Sequence, residues 1–371
     1  MNQRVGVFLG ALAFTLSSML FASPSEHKTE YDVIKLVANS SSENAHNVDG
    51  RLLNPWGLTF SNDGDLIVAD NGNDGFLATS YEENGDTRAF NIVNGDAPTG
   101  LETNDSPRDF IFTSFGVTGP ARLLFASANG DILAFSKHVN TTMAIPVISR
   151  GGSPHFSVYT GLALGTVFHG AMENEGHKHQ YIFAADFHNG NIDVFDSYFN
   201  YVKSFTDPSL PEGYAPFNVQ NINGLLYVTF ALNDANAPVA GAGFGFVDVF
   251  KTDGTYVKRL IPFTSGTGPL NAPWGLVQAP HDFGTFSDAL LVGNNGDGKI
   301  NAFDIKDGTF LGTLSDDDGD PIVIDGLWSI KFGPCEPNPD MNSHRGPKLF
   351  FTSGPSSEAG LVGVIVKHRH H

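Results

Sequence analysis

Residues 271–277 read NAPWGLV, and residues 54–60 read NPWGLTF. Nearly the same phrase at two distant places points to a repeat, and a repeat of this size decides the fold before any other feature is weighed. Related openings lie between and beyond the two. PRDFIF starts at Pro107, TGLALG at Thr160, PFNVQN at Pro216 and GLWSIKF at Gly326. Counted from Pro55 through Pro273 to Gly326, the steps are 52, 53, 56, 57 and 53 residues. Six near-equal units of this length suit the blades of a propeller, each a four-stranded antiparallel sheet.

Further elements recur in each unit. DLIVADN, LLFASAN, YIFAADF, LLYVTFA, LLVGNN and LFFTSG are short apolar runs ending on a small or polar residue. DILAFS, NIDVFD, GFVDVFK, KINAFD and GLVGVIV alternate apolar and polar residues, as half-buried strands do. YVKSFT, YVKRLI and FLGTLSD form a fourth set, reached through Asp-Gly turns in KTDGTY and IKDGTF. The sixth unit runs out after GLVGVIVKH, but YDVIKLVA at residues 31–38 resembles YVKRLIPF and can complete it. The expected fold is therefore an all-β, six-bladed β-propeller closed by the N-terminal strand, which removes open sheet edges. The Pro of PWGL sets the start of the innermost strand, and its Gly allows close packing near the axis. Composition agrees: 42 Gly, 31 Phe and 16% charged residues favour strands and turns.

The N-terminus, MNQRVGVFLGALAFTLSSMLFAS, has one Arg, an apolar run and small residues, the pattern of a signal peptide at 1–22 cleaved after Ala22. An uncleaved anchor is the alternative. Residues 23–30 read as a lead-in, 31–368 as one propeller domain and 369–371 as a loose tail. The expected destination is periplasmic or extracellular. The net charge is −19, and losing Arg4 with the leader makes it −20. Phosphate backbones and anionic lipid surfaces would be repelled, so nucleic acid is not an expected partner, and no second apolar stretch is long enough to span a bilayer, so stable membrane insertion after cleavage is not expected either. The sole cysteine, Cys335, excludes an internal disulfide and reads as a small buried side chain.

In a propeller the starts of the inner strands and the ends of the second strands share one face around the channel. The first set supplies Asn54, Trp56, Arg108, Asp109, Asn218, Asn271, Trp274, Asp325 and Trp328; the second supplies Asp70, Asn71, Asn129, Asp186, His188, Asn294 and Asn295. Asn54, Trp56, Arg108, Asn218, Asn271, Trp274 and Trp328 are the ligand-binding candidates, an aromatic and amide mouth for a small molecule, protein or glycan. The tryptophans could equally wedge between blades, and the Asn and Asp side chains could tie turns. Asp70, Asp186, Asp325 and Asn294 offer oxygens suited to a divalent cation such as calcium, with His188 beside Asp186 as a candidate base. A second histidine group, His169, His177 and His179 with Glu173 and Glu175, falls in a loop on the opposite face and reads as a solvated hairpin before it reads as a metal site. Asp316, Asp317, Asp318 and Asp320 lack the spacing of an EF-hand loop. G-x-S-x-G, Walker and H-E-x-x-H motifs are absent.

The segments LNPWGL, AADFHNGNIDVFD, PFNVQNINGLLYVTFA, NAPWGL, LLVGNNGDGKINAFD and DGLWSIKFG resemble a family of exported bacterial propellers, some with PEP-CTERM sorting tails. This chain ends in VKHRHH, so the resemblance implies fold and export without that sorting route. More loosely, the units are similar to NHL repeats and to gluconolactonase-like propellers, which hold a divalent metal with Glu, Asn and Asp. That ligand set does not map residue by residue onto this sequence, so the analogy stays at the level of the fold. Two functions follow as expectations: a binding or interaction module with its ligand at the Trp-lined mouth, or a metal-dependent hydrolase of the lactonase type using the same mouth.

Overall fold

The computed structural model describes residues 29–72, 76–88, 92–93, 96–152, 154–167, 179–334 and 346–368. Six antiparallel sheets form the ring. Their innermost strands are Pro55–Phe60, Pro98–Thr103, Tyr159–Thr166, Tyr214–Ile222, Pro273–Gln278 and Leu327–Phe332. Blade six is completed from the other end of the chain. Tyr31–Ala38 pairs antiparallel with Leu361–Lys367, from Tyr31 opposite Lys367 to Ala38 opposite Leu361. A short strand, Asn47–Val48, then adds to it in parallel. No helix among the described residues is long and apolar enough to cross a membrane.

One unit departs from the expected register. The inner strand of blade two is Pro98–Thr103, PTGLET, and not PRDFIF. Residues 111–114 and 117–120 instead form a separate two-stranded hairpin inserted between the first and second strands of that blade. The near-constant spacing concealed this, because a short first unit and a long second one averaged out. The physical criterion is the glycine. A Cβ on Gly100 would lie 2.5 Å from the backbone nitrogen of Leu162, and one on Gly275 would lie 2.8 Å from the carbonyl of Trp328. Neighbouring inner strands approach too closely there for any side chain, and PTGL meets that demand where RDFI cannot.

The core is divided among the blade interfaces. One apolar cluster joins blades six and one through Leu58, Val68, Phe350 and Val364. Others lie between blades two and three, around Leu124, Leu162 and Ile182, and between blades five and six, where Tyr31 packs with Phe286 and Leu291. Tyr31 also donates its hydroxyl to the carbonyl of Phe283 at 2.8 Å. Each large buried side chain contributes on the order of 1.5–3 kcal/mol, so the ring is stabilised by repeated faces of moderate size.

A β-bulge interrupts the pairing of the inner strand with its neighbour in every blade. The register shifts between Pro55 and Leu58, Tyr159 and Gly161, Pro216 and Asn218, Pro273 and Gly275, and Leu327 and Ile330, with the matching break near Phe125 in blade two. A bulge re-aims one side chain out of the alternating pattern. Here the residue at the bulge is Trp56, Thr160, Phe217, Trp274 or Trp328, and this is how the aromatic residues come to face the axis.

Candidate functional site

The three tryptophans meet on the axis, as their equivalent positions predicted. They do so by packing on one another. Trp56 stacks on Trp328 with ring centroids 3.5 Å apart, and Trp274 meets both edge-on at 6.4 and 6.0 Å. Phe217 joins them, 5.8 Å from Trp328. Trp274 is 3% exposed and Trp328 is 6%. Trp274 donates its indole N–H to the carbonyl of Thr160 at 2.9 Å. At this end of the channel the rings form a plug with little free aromatic surface. Phe217 completes it at the equivalent position of blade four, and sequence reasoning that tracked tryptophan alone passed over it.

The surrounding amides are spent on the frame. Asn218 is buried and donates to the carbonyl of Trp274 at 2.9 Å. Asn71 reaches Pro98 and Asn295 reaches Leu327 in the same way, each tying one blade to the inner strand of the next. Asn54, at a positive φ of 46°, donates to Asn71. The side-chain oxygen of Asn271 accepts from the N–H of Gly241 at 2.7 Å. Arg108 stands elsewhere: once PTGLET is the inner strand, Arg108 and Asp109 fall in the loop that leaves its far end, on the opposite face. Arg108 is exposed there, and Asp109 is buried with His179 at 2.8 Å.

The four candidate cation ligands do not converge. Asp186 caps its own turn, accepting from the N–H groups of Val158 and Asn189 at 3.2 and 3.1 Å and from the Asn189 side chain at 2.8 Å. Asn294 donates to Pro269 and Asp297. Asp325 is exposed, and its backbone carbonyl accepts from the Ser353 hydroxyl at 2.6 Å. Asp70 is 2% exposed between blades six and one, with neither carboxylate oxygen in a hydrogen bond of ordinary geometry, and burial holds its carboxyl well above the usual carboxylate range. Among the described residues no three His, Cys, Asp or Glu side chains form a metal-ligating group. His188 is exposed, meets Phe156 edge-on and pairs with the side chain of Asn236 at 2.9 Å, while Asp186 bonds to Val158 and Asn189. His169, His177, Glu173, Glu175 and Cys335 lie outside the described residues, as do the leader at 1–22 and the tail at 369–371.

Open space lies on the other side of the tryptophan plug. A cavity of about 370 Å³ runs from Trp274 and Ser329 to Asn223 and Gln278 at the far ends of the inner strands. Polar side chains bridge it. Gln220 donates to Glu102 at 3.2 Å, Lys331 pairs with Glu102 at 3.2 Å, and Lys331 also reaches Thr59 at 3.4 Å. These four belong to blades four, two, six and one, so the chain of bonds crosses the channel. All four occupy one position, two residues beyond the tight residue of the inner strand: Gly57 and Thr59, Gly100 and Glu102, Asn218 and Gln220, Ser329 and Lys331. That alignment was available in the sequence. The strand starts alone do not reveal it, and Glu102 lies outside the strand that the repeat spacing assigns to blade two.

An NHL repeat matches over residues 52–73, which spans the inner strand of blade one and its neighbour. Two proteins of Acanthamoeba polyphaga mimivirus match over almost the whole chain. Uncharacterized protein R648 is 33% identical over 93% of this chain and 82% of its own length; uncharacterized protein L690 is 31% identical over 93% and 88%. The chain belongs to this family. A third member, uncharacterized protein R640, is 31% identical over 72% of this chain but only 47% of its own length. Among solved structures, a chain of the nidogen/laminin complex is 14% identical, with a TM-score of 0.44 over 78% of this chain and 85% of that one. A chain from a BBS1N–ARL6DN complex is 11% identical, with a TM-score of 0.42 over 82% and 75%. The family relatives found are thus viral, and the site in this member rests on its own geometry.

Proposed function

We propose that this protein is an exported interaction module that receives polar groups of a partner in its central channel, from the face where the inner strands end. The observation that carries the reading is the bonded chain Gln220–Glu102–Lys331–Thr59 across that channel. Four blades direct polar side chains to one place, and three of those side chains are long enough to exchange their mutual bonds for bonds to a ligand. Amides and a carboxylate–ammonium pair suit a peptide or glycan segment, or a small molecule of the same hydrogen-bonding chemistry. Exchange of this kind gives orientation and specificity, while the apolar walls formed by Leu101, Leu276 and Ile330 supply contact area. The net charge of −19 argues against nucleic acid. The plug of Trp56, Trp274 and Trp328 forms the floor of the site, so the mouth and the channel are two sides of one feature.

Labelled protein applied to peptide and glycan arrays tests this. Ligands retained by the wild type should lose at least ~10-fold in affinity with Lys331→Met or Glu102→Gln, the cost of leaving a desolvated charge without its partner. Their titration should also change tryptophan fluorescence, because Trp274 borders the cavity. Binders indifferent to both substitutions, with no fluorescence response, would place recognition outside the channel. Export is part of the same proposal. Sequencing the N-terminus of the secreted product should show that residues 1–22 are gone.

A further inference from the structure

The chain enters blade six through residues 323–325, and this connection borders a groove of about 440 Å³. The closing strand lines the groove through Val33 and Lys35, and the short turn Ser41–Glu43 that follows it adds Glu43. The loop between the second and third strands of blade six adds Glu358. Asp325 precedes the inner strand and Glu358 follows the second strand, so both stand on the face of the tryptophan plug. Val323 is 61% exposed, the most of any large aliphatic side chain among the described residues, and Val33 is 39% exposed. The pairing of its neighbours holds Val323 out. Ile322 and Ile324 donate their N–H groups to the carbonyls of Leu314 and Gly298 at 2.9 Å each and bury their own side chains, which leaves the residue between them facing outward. Single exposed aliphatic side chains are ordinary, but two that line one recess offer a surface to another apolar group.

The charges around this lining are unbalanced. Lys35, Glu43, Asp325 and Glu358 all border the groove. Lys35 is paired with Glu43 at 2.8 Å, and both side chains are so exposed that the pair contributes little and exchanges readily. Asp325 and Glu358 are exposed as well, and no cation among the described residues pairs with either. The groove therefore carries two free negative charges beside its apolar lining, in a chain whose net charge is −19.

We infer that this groove docks a basic peptide segment carrying an aliphatic side chain. The aliphatic side chain packs on Val33 and Val323, and Lys or Arg residues beside it meet Asp325 and Glu358. The volume of about 440 Å³ falls within the range of ligand-holding sites, roughly 300–1,000 Å³. An anionic bilayer or a nucleic acid would meet the two free carboxylates and the charge of the whole molecule. A second copy of this chain would bring a further net charge of −19. A basic peptide has the complementary sign and supplies an apolar group as well. This surface is separate from the channel and does not depend on the channel's reading.

Fluorescence anisotropy with the labelled hexapeptide KKLIKK, and with EELIEE and KKSSKK for comparison, tests the proposal on the full chain. KKLIKK should bind saturably and more weakly as salt is raised, and EELIEE should not bind. KKSSKK, which keeps the charge and loses the apolar pair, should bind at least ~5-fold more weakly than KKLIKK. Val323→Ser and Asp325→Asn should each weaken KKLIKK about 5- to 10-fold, as loss of an anchor residue does. Both side chains are exposed, so Tm should stay within about 2 °C of the wild type and the loss of binding cannot be loss of folding. Asp318→Asn makes the same change of charge at an exposed turn outside the groove and should leave binding unchanged. Four results would overturn the proposal: no saturable binding of KKLIKK, equal binding by the wild type and both groove variants, KKSSKK bound as tightly as KKLIKK, or a loss with Asp318→Asn as large as that with Asp325→Asn.

Discussion

Among single residues, buried carboxylates divide by the partners they find. Asp186 gathers two N–H groups and an amide and so secures a turn. Asp248 is buried in blade four beside Arg259, which also pairs with Asp207. Burial lifts the Asp248 carboxyl to about 7, against the pull of Arg259 and with a push from Asp207. Its folded pKa thus lies above the unfolded value of about 4, and the folded state holds its proton more tightly. The resulting contribution to stability is whole below about pH 4 and is lost as pH rises through about 7. Asp248→Asn should therefore flatten the pH dependence of Tm across that window. The change relative to wild type should be at most ~4 kcal/mol, three units of pKa at 1.4 kcal/mol each. Thermal melts across this pH range check it, and parallel curves for the two proteins would count against it. The residue scale also separates a structural Asp186 from a metal-binding one. Asp186→Ala should cost about 1–2 kcal/mol by orphaning its donors, and EDTA should leave that difference unchanged in denaturant titrations. None of this was legible in sequence, where Asp70, Asp186 and Asp248 look alike; their partners come from other strands.

At the scale of the strand, the recurring device is a bulged inner strand with a residue that must be small or must bond to its neighbour. Gly57, Gly100, Gly161 and Gly275 take that position in four blades, Asn218 and Ser329 in two. Gly100→Ala should be costly although its φ is not left-handed, because the new Cβ meets backbone atoms of Leu162 and Gly161 that cannot rotate away. A loss of roughly 2–3 kcal/mol is expected from overpacking against a fixed backbone, to be read from urea denaturation; a near-neutral result would mean that the inner strands can slide apart. This element was half legible. PWGL announced it twice, and the glycine rule recovers PTGL as well. The period-two pattern could not show that a bulge turns the tryptophan toward the axis, because a bulge breaks the alternation from which facing is read.

For the whole molecule, closure is the decisive feature. Tyr31–Ala38 joins the two ends of the chain within one blade, burying Leu36 and Val37 in the interface of blades six and one and Tyr31 in that of blades five and six. Deleting residues 31–38 should expose Leu361–Lys367 as an open edge and separate two blade interfaces. The expected result is a drop in Tm of more than ~10 °C with association on size-exclusion chromatography, since unpaired strands recruit one another. A monomer that melts like the intact protein would show that blade six stands without its fourth strand. The sequence by itself determined the number of blades, the strand order of every blade but the second, the closing strand and the meeting of the tryptophans, because each follows from local periodicity repeated along the chain. Only the tertiary structure decided that the tryptophans pack into a plug, that Arg108 lies on the opposite face, and that Thr59, Glu102, Gln220 and Lys331 join across the channel. Those facts depend on how blades distant in sequence approach one another, and the spacing along a chain carries no record of the distance across a ring.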